Sequence, residues 1–167
     1  MIDHSLLLLF PAAMAFAAAM DMLTMTIPNR VSLLLVGAFF AAAYSAGLPM
    51  QQVLMHVGTG VLVLVICFAL FAFGVFGGGD AKLLAASSLW IGFDHLLEYA
   101  IGMSFAGGIL AVAFLVARTY FPEGSLNAPR WVLRLQGRES GMPYGLAISA
   151  AALWIYPQTA FFHGLAH

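Results

Sequence analysis

The fold of this chain is decided by a long apolar stretch, QVLMHVGTGVLVLVICFALFAFGVF, at residues 52–76. The stretch contains no Asp, Glu, Lys or Arg, and three glycines follow it directly. About 20 apolar residues in a helix, at a rise of 1.5 Å each, are enough to cross the hydrocarbon core of a bilayer. The stretch therefore predicts a transmembrane helix.

The whole chain shares this apolar character. Its 167 residues are 63% hydrophobic and 8% charged, and the mean hydropathy is +0.98. A soluble domain carries about 25% charged residues, so this chain has too few to cover a water-facing surface. The composition places it among integral membrane proteins. The single cysteine, Cys67, excludes a disulfide or a paired-cysteine metal site within these residues.

Apolar runs separated by proline, glycine and polar residues predict an all-α, polytopic membrane protein. We expect one membrane domain over residues 1–167, with six transmembrane helices in one bundle. The first run lacks the positively charged start of a signal peptide, so we expect it to be retained. The predicted helices cover about residues 5–25, 31–48, 52–76, 80–97, 99–119 and 144–163, and a polar loop covers about 120–143.

The distribution of charge predicts the orientation. If the N-terminus lies outside, all six basic side chains fall in or beside the inner loops, and positively charged loops are typical of the cytoplasmic side. The basic loops are therefore expected to face the cytoplasm, with membrane lipid as a partner. The five histidines scatter near the outer face without a metal-binding pattern, so no metal site is predicted. The basic residues are Arg30, Lys82, Arg118, Arg130, Arg134 and Arg138.

Two acidic residues need a functional explanation. Asp21 lies inside the first apolar run, and Asp80 begins the fourth. A charged side chain within a span costs about 2.5–3.5 kcal/mol on insertion scales, which makes each a candidate for function. In the predicted topology both lie near the cytoplasmic face. Two close carboxylates share one proton, so one can activate a water while the other protonates the scissile group, with neither role assigned to a particular residue.

The three glycines before Asp80 have two possible explanations. Gly77, Gly78 and Gly79 could leave the backbone open to an extended peptide beside the acid. They could equally allow close helix packing, since Gly74 and Gly78 have the spacing of a small-residue packing motif. The following Asp80 and the matching Asp21 favour a site.

Three segments resemble the type IV prepilin peptidase family of GxGD membrane aspartyl proteases. Residues 77–84, GGGDAKLL, resemble the family's signature, and residues 21–29, DMLTMTIPN, resemble its first motif. Residues 142–146, MPYGL, resemble its late Pro-aromatic-Gly motif. The segments occur in the family's order and cover nearly the whole chain.

The resemblance implies that Asp21 and Asp80 are the catalytic pair, acting without a metal or cofactor. It implies removal of the basic leader from type IV, Flp-like prepilins at the cytoplasmic face of the bacterial inner membrane, with cleavage after a glycine. Contact with other pilus assembly components is also expected, and nucleic acid is not. The residues expected to shape the site are Gly77, Gly78, Gly79, Lys82, Pro28, Asn29, Pro143, Tyr144 and Gly145.

The chain also departs from larger members of that family. It lacks the paired CxxC motifs of prepilin peptidases that also methylate, so we expect a protease without N-methyltransferase activity. The short peptidases of tight-adherence pili are the nearest type, and archaeal preflagellin peptidases are an alternative. Glu123 and Glu139 are hypothesised to attract the basic leader. The rival functions are a proton-coupled transporter component, with Asp21 and Asp80 as its relay, and an assembly scaffold.

Overall fold

The computed structural model describes residues 4–120 and 141–159, together with residues 133, 162 and 163. The secondary structure of these residues is helical, without a strand, which confirms the predicted all-α class. Most of the predicted loop, including Glu123 and Glu139, lies outside the described residues. Six α-helices are described, α1 (His4–Thr24), α2 (Asn29–Ser45), α3 (Met50–Ala72), α4 (Gly78–Ile91), α5 (Leu96–Tyr120) and α6 (Tyr144–Ile155).

Several helix ends differ from the sequence-based prediction. The second and third helices were expected to reach residues 48 and 76 but end at Ser45 and Ala72. The fourth helix was expected to reach residue 97 but ends at Ile91, because Gly92 adopts a φ of +77° that L side chains rarely take. As a result α5 begins at Leu96 instead of 99. The last helix was expected to reach residue 163, but α6 gives way after Ile155 to a 3₁₀ turn, Tyr156–Gln158. Pro157 has no amide proton to continue the helical bonding pattern.

Helix α4 is the centre of the bundle. Every residue from Leu83 to Ile91 is buried, on all sides of the helix. Because these residues are buried, α4 is shielded mainly by protein. Its 14 residues span about 21 Å, less than the ~30 Å hydrocarbon core. Near its end, the fully buried Trp90 donates its indole N–H to the Leu35 carbonyl at 3.0 Å and packs against Phe10 and Phe39. These contacts fix α4 against α1 and α2.

The outer helices α3 and α5 present apolar side chains to the surroundings. The most apolar 18 residues of each have mean hydropathies of 2.5 and 2.2, and both helices are long enough to cross a membrane. In their most apolar parts only 22% and 6% of the residues are buried, whereas the core helix of a soluble protein is mostly buried. Such apolar surfaces are suited to contact with lipid. That all six helices cross the membrane remains a prediction.

A buried hydroxyl network joins the last three helices. The Tyr99 hydroxyl lies 2.8 Å from Ser87 Oγ and donates to the Ile148 carbonyl at 3.3 Å. Buried polar groups are costly unless they are hydrogen-bonded, so the network favours one arrangement of α4, α5 and α6. It thereby fixes α6, whose first turn carries part of the candidate site.

Candidate active site

Asp21 is held by the first turn of α6. It lies in the last turn of α1, only 5% exposed, and its Oδ2 accepts a hydrogen bond of 2.7 Å from the Gly145 amide. The first amides of a helix have no partner within the helix, and the helix N-terminus carries partial positive charge. The contact therefore supplies a buried carboxylate with a donor and a favourable field.

No side chain fits at Gly145. A Cβ placed there would lie 2.8 Å from both Asp21 Oδ2 and Ile27 Cδ1, closer than real Cβ contacts allow. The preceding residues position this turn, since Pro143 is the N-cap of α6 and the Tyr144 ring lies 6.0 Å from that of Phe76. The segment predicted to shape the site, residues 143–145, thus lies directly against Asp21.

Asp80 occupies the first turn of α4 and is partly buried. Gly77 is the N-cap of this helix, and a Cβ on Gly77 would lie 2.6 Å from Asp80 Oδ2. The carboxylate therefore folds back over Gly77, at an end of α4 where the helix dipole favours negative charge. Each of the two acids accordingly lies beside the N-terminus of a helix.

Each remaining glycine of the GGGD segment faces a different neighbour. A Cβ on Gly78 would meet Phe71 of α3 at 3.3 Å, and one on Gly79 would meet Ile27 at 3.4 Å. Gly74 has nothing within 4 Å of its Cβ position but adopts a φ of +72°. Gly78 and Gly79 therefore allow close packing, whereas Gly74 lets the chain turn after α3.

The link between α1 and α2 joins the three sequence motifs. Ile27 lies close to both Gly79 and Gly145, where an added Cβ would meet it. Asn29 Oδ1 accepts a 3.0 Å hydrogen bond from Lys82 Nζ. Since Gly145 donates to Asp21 and Gly79 precedes Asp80, both acids lie at this junction. We call this end of the bundle, which carries both acids, the site end.

Sequence reasoning missed two features of the site. The first is Ile27, which packs against residues of the other two motifs. Its position next to Pro28 in the first motif was the one feature of the sequence that could have indicated this role. Met25 adopts a left-handed φ of 56°, which costs a non-glycine residue about 1–2 kcal/mol. Its amide donates to the Asp21 carbonyl at 2.8 Å, so the strained residue ends α1 within one turn of the acid.

Within the described residues, no group of three or more His, Cys, Asp or Glu is arranged to hold a metal ion. Two of the histidines have local partners. His56 Nδ1 lies 2.6 Å from the Leu89 carbonyl oxygen, and His95 Nδ1 lies 3.0 Å from a Glu98 carboxylate oxygen. Both contacts are at the end of the bundle opposite to Asp21 and Asp80.

The exposed apolar helices indicate a membrane protein, and the class of that protein follows from comparison with known families. The model of the type IV leader peptidase family matches residues 8–112, well over half of the chain. The chain belongs to this family, as its motifs suggested, and is thus a peptidase related to those that process prepilins. The matched region includes Asp21 and Asp80 and ends before Gly145. Comparisons with curated proteins and with solved structures gave no match.

Proposed function

We propose that this chain is an aspartic endopeptidase that removes the basic leader of Flp-like type IV prepilins, cutting after a glycine at the cytoplasmic face of the inner membrane. The observation that carries the proposal is the position of Asp21 and Asp80 at one end of the bundle, where Ile27 lies against both Gly79, next to Asp80, and Gly145, which donates to Asp21. Membership of the leader peptidase family supplies the reaction.

The two carboxylates are suited to general acid–base hydrolysis. One carboxylate takes a proton from a water, whose oxygen attacks the scissile carbonyl, while the protonated partner donates to the carbonyl oxygen. Collapse of the tetrahedral intermediate breaks the C–N bond, and a proton passes to the departing amine. The Gly145 amide holds Asp21 in position during these steps. No covalent intermediate is required.

The positions of the basic side chains support the orientation. Arg30 begins α2, Lys82 lies in the first turns of α4, and Arg118 lies in the last turn of α5. In a bundle of alternating helices these three positions lie on the side of the site end. The positive-inside rule then assigns that side to the cytoplasm, where prepilin leaders are found before cleavage.

The positions of the acids do not favour a transporter. Among the acids of the described residues, Asp94 and Glu98 lie at the end opposite to Asp21 and Asp80. A proton relay requires ionisable groups along a path through the membrane. The described acids instead lie at the two ends of the bundle, with none between them, and Asp21 and Asp80 share one end.

The test is cleavage of a Flp-type prepilin by membranes containing the wild-type chain, Asp21→Asn, Asp80→Asn or Asp94→Asn. Asparagine keeps the size of the side chain but cannot cycle a proton, so we expect the first two variants to lose at least about 1,000-fold in rate. Asp94→Asn is the matched control, because Asp94 is exposed at the opposite end. We expect it to cut at the wild-type rate, with all variants at equal abundance in the membrane.

Comparable cleavage by either Asp21→Asn or Asp80→Asn would exclude the two-carboxylate mechanism. A wild-type chain that cuts other type IV prepilins but not the Flp-type precursor would retain the mechanism and change the substrate. Mass spectrometry of the mature pilin N-terminus identifies the cleaved bond in both cases.

A further inference from the structure

A groove on the surface of the bundle, between α2, α3 and α4, is separate from the carboxylate pair. Its volume is about 510 Å³, and it is open along one side. Most of its lining is apolar, contributed by Leu33, Val36, Phe40, Val61, Leu64 and Leu89. Leu33 and Val61 are also among the exposed apolar residues of the outer surface, so the groove opens towards the expected position of the lipid.

One end of the groove is polar and positively charged. Asn29 and Lys82 line this end, joined by their 3.0 Å hydrogen bond. Among the described residues that line the groove, Lys82 alone carries a charge. Arg30, the next residue of α2, is exposed at the same end of the bundle but does not line the groove. Asp80 and Lys82 are about 200° apart around α4, so the acid does not face the groove.

The length of the groove matches one leaflet of a bilayer. From Asn29 to Phe40 it follows α2 for about 16 Å at 1.5 Å per residue. Half of a hydrocarbon core of ~30 Å is ~15 Å. An acyl chain anchored at the charged end would therefore lie along the groove as far as the middle of the membrane.

The charge at one end of the groove favours a phospholipid over an apolar helix. The phosphate of the lipid complements the charge of Lys82 in a way that an apolar peptide segment does not.

We propose that this groove binds an anionic phospholipid of the cytoplasmic leaflet, with one acyl chain between α2 and α3 and the phosphate at Lys82. The site selects lipid by charge at one end and by apolar contact along its length. It does not depend on the proposed peptidase activity, because binding requires neither Asp21 nor Asp80.

The test is native mass spectrometry of the full-length protein in detergent, titrated with phosphatidylglycerol or with phosphatidylcholine of identical acyl chains. We expect one phosphatidylglycerol to bind at least about tenfold more tightly than phosphatidylcholine. Lys82→Gln keeps a donor for Asn29 but removes the charge, so it should abolish this preference. Circular dichroism checks that each variant is folded.

A matched pair of variants on α3 tests the position of the acyl chain. Val61 lines the groove and is 54% exposed, whereas Val65, one turn further along α3, is 63% exposed and does not line it. Val61→Trp should fill the groove and weaken phosphatidylglycerol binding about tenfold. Val65→Trp should bind as the wild type does.

Equal affinity for the two lipids, or equal effects of Val61→Trp and Val65→Trp, would overturn the proposal. So would displacement of the bound lipid by an apolar transmembrane peptide at equimolar concentration, because that result would assign the groove to a helix. Asp21→Asn should bind lipid normally even if it cuts no prepilin, which separates this proposal from the peptidase proposal.

Discussion

Gly145 serves the candidate site in two ways. Its amide donates to Asp21, and the absence of a Cβ leaves room for both that carboxylate and Ile27. An alanine would keep the amide but place a methyl group 2.8 Å from each neighbour. Either Asp21 or the first turn of α6 would then have to move.

We expect Gly145→Ala to lower the rate of prepilin cleavage about 100-fold, because a shift of about 1 Å in a catalytic group is enough for a loss of that size. The measurement is the initial cleavage rate in membranes at equal protein abundance. Gly108→Ala is the control, since nothing lies within 4 Å of its Cβ position. Equal rates for the two variants would show that Asp21 tolerates the displacement.

Individual residues differ in how far the sequence reveals them. Asp21 and Asp80 could be identified as functional candidates because a charge within an apolar run is energetically costly. Ile27 could not, because one isoleucine in an apolar chain looks like any other until its neighbours are known. The Asn29–Lys82 hydrogen bond joins positions 53 residues apart, and no local pattern encodes that pairing.

At the scale of helices, α3 and α4 pack closely at Gly60. A Cβ at this position would lie 2.8 Å from Leu89 Cδ2 and 3.3 Å from the Ala85 carbonyl oxygen. Gly58, two residues earlier on α3, has nothing within 4 Å of its Cβ position. Gly60 therefore allows α3 and α4 to approach closely, whereas Gly58 takes no part in that contact.

We expect Gly60→Ala to destabilise the protein by about 1–3 kcal/mol, because overpacking forces neighbouring side chains to shift. Gly58→Ala should be neutral or stabilising by up to about 1 kcal/mol, since alanine is the better helix former. The measurement is the thermal midpoint of each variant in one detergent. A lower midpoint for Gly58→Ala than for Gly60→Ala would contradict the packing described between α3 and α4.

Hydropathy predicts the existence of helices better than their ends. Gly58 and Gly60 lie within α3 without interrupting it, whereas Gly92 takes a positive φ and ends α4. Composition alone cannot distinguish these glycines, because the conformation of each depends on its neighbours in the folded bundle. The end of α4 was therefore placed too late in the sequence-based prediction.

At the scale of the whole molecule, the two ends of the bundle have different charges. The site end carries the basic residues Arg30 and Lys82 beside its two acids, whereas the described residues of the opposite end include Asp94 and Glu98 but no Lys or Arg. The apolar composition and the single-sided basic residues were sufficient to predict an all-α membrane protein. They could not predict that α4 would be enclosed by the other helices, which depends on tertiary packing.

The predicted orientation can be measured by cysteine labelling in a Cys67→Ala background, since Cys67 is the chain's single cysteine. Ser45→Cys places a thiol where α2 ends, and Val75→Cys places one in the link between α3 and α4. In intact spheroplasts a membrane-impermeant maleimide should label Ser45→Cys and spare Val75→Cys. After lysis both should be labelled. The reverse pattern would place the site end outside the cell.

The hydrogen bond from Gly145 to Asp21 spans 124 residues of sequence. A ribosome therefore releases the carboxylate of α1 long before it synthesises the amide that holds it. Until α6 docks, a growing chain has the acid without its donor. On the proposed mechanism, a chain whose synthesis stops before α6 should thus be an inert protein instead of an unregulated protease.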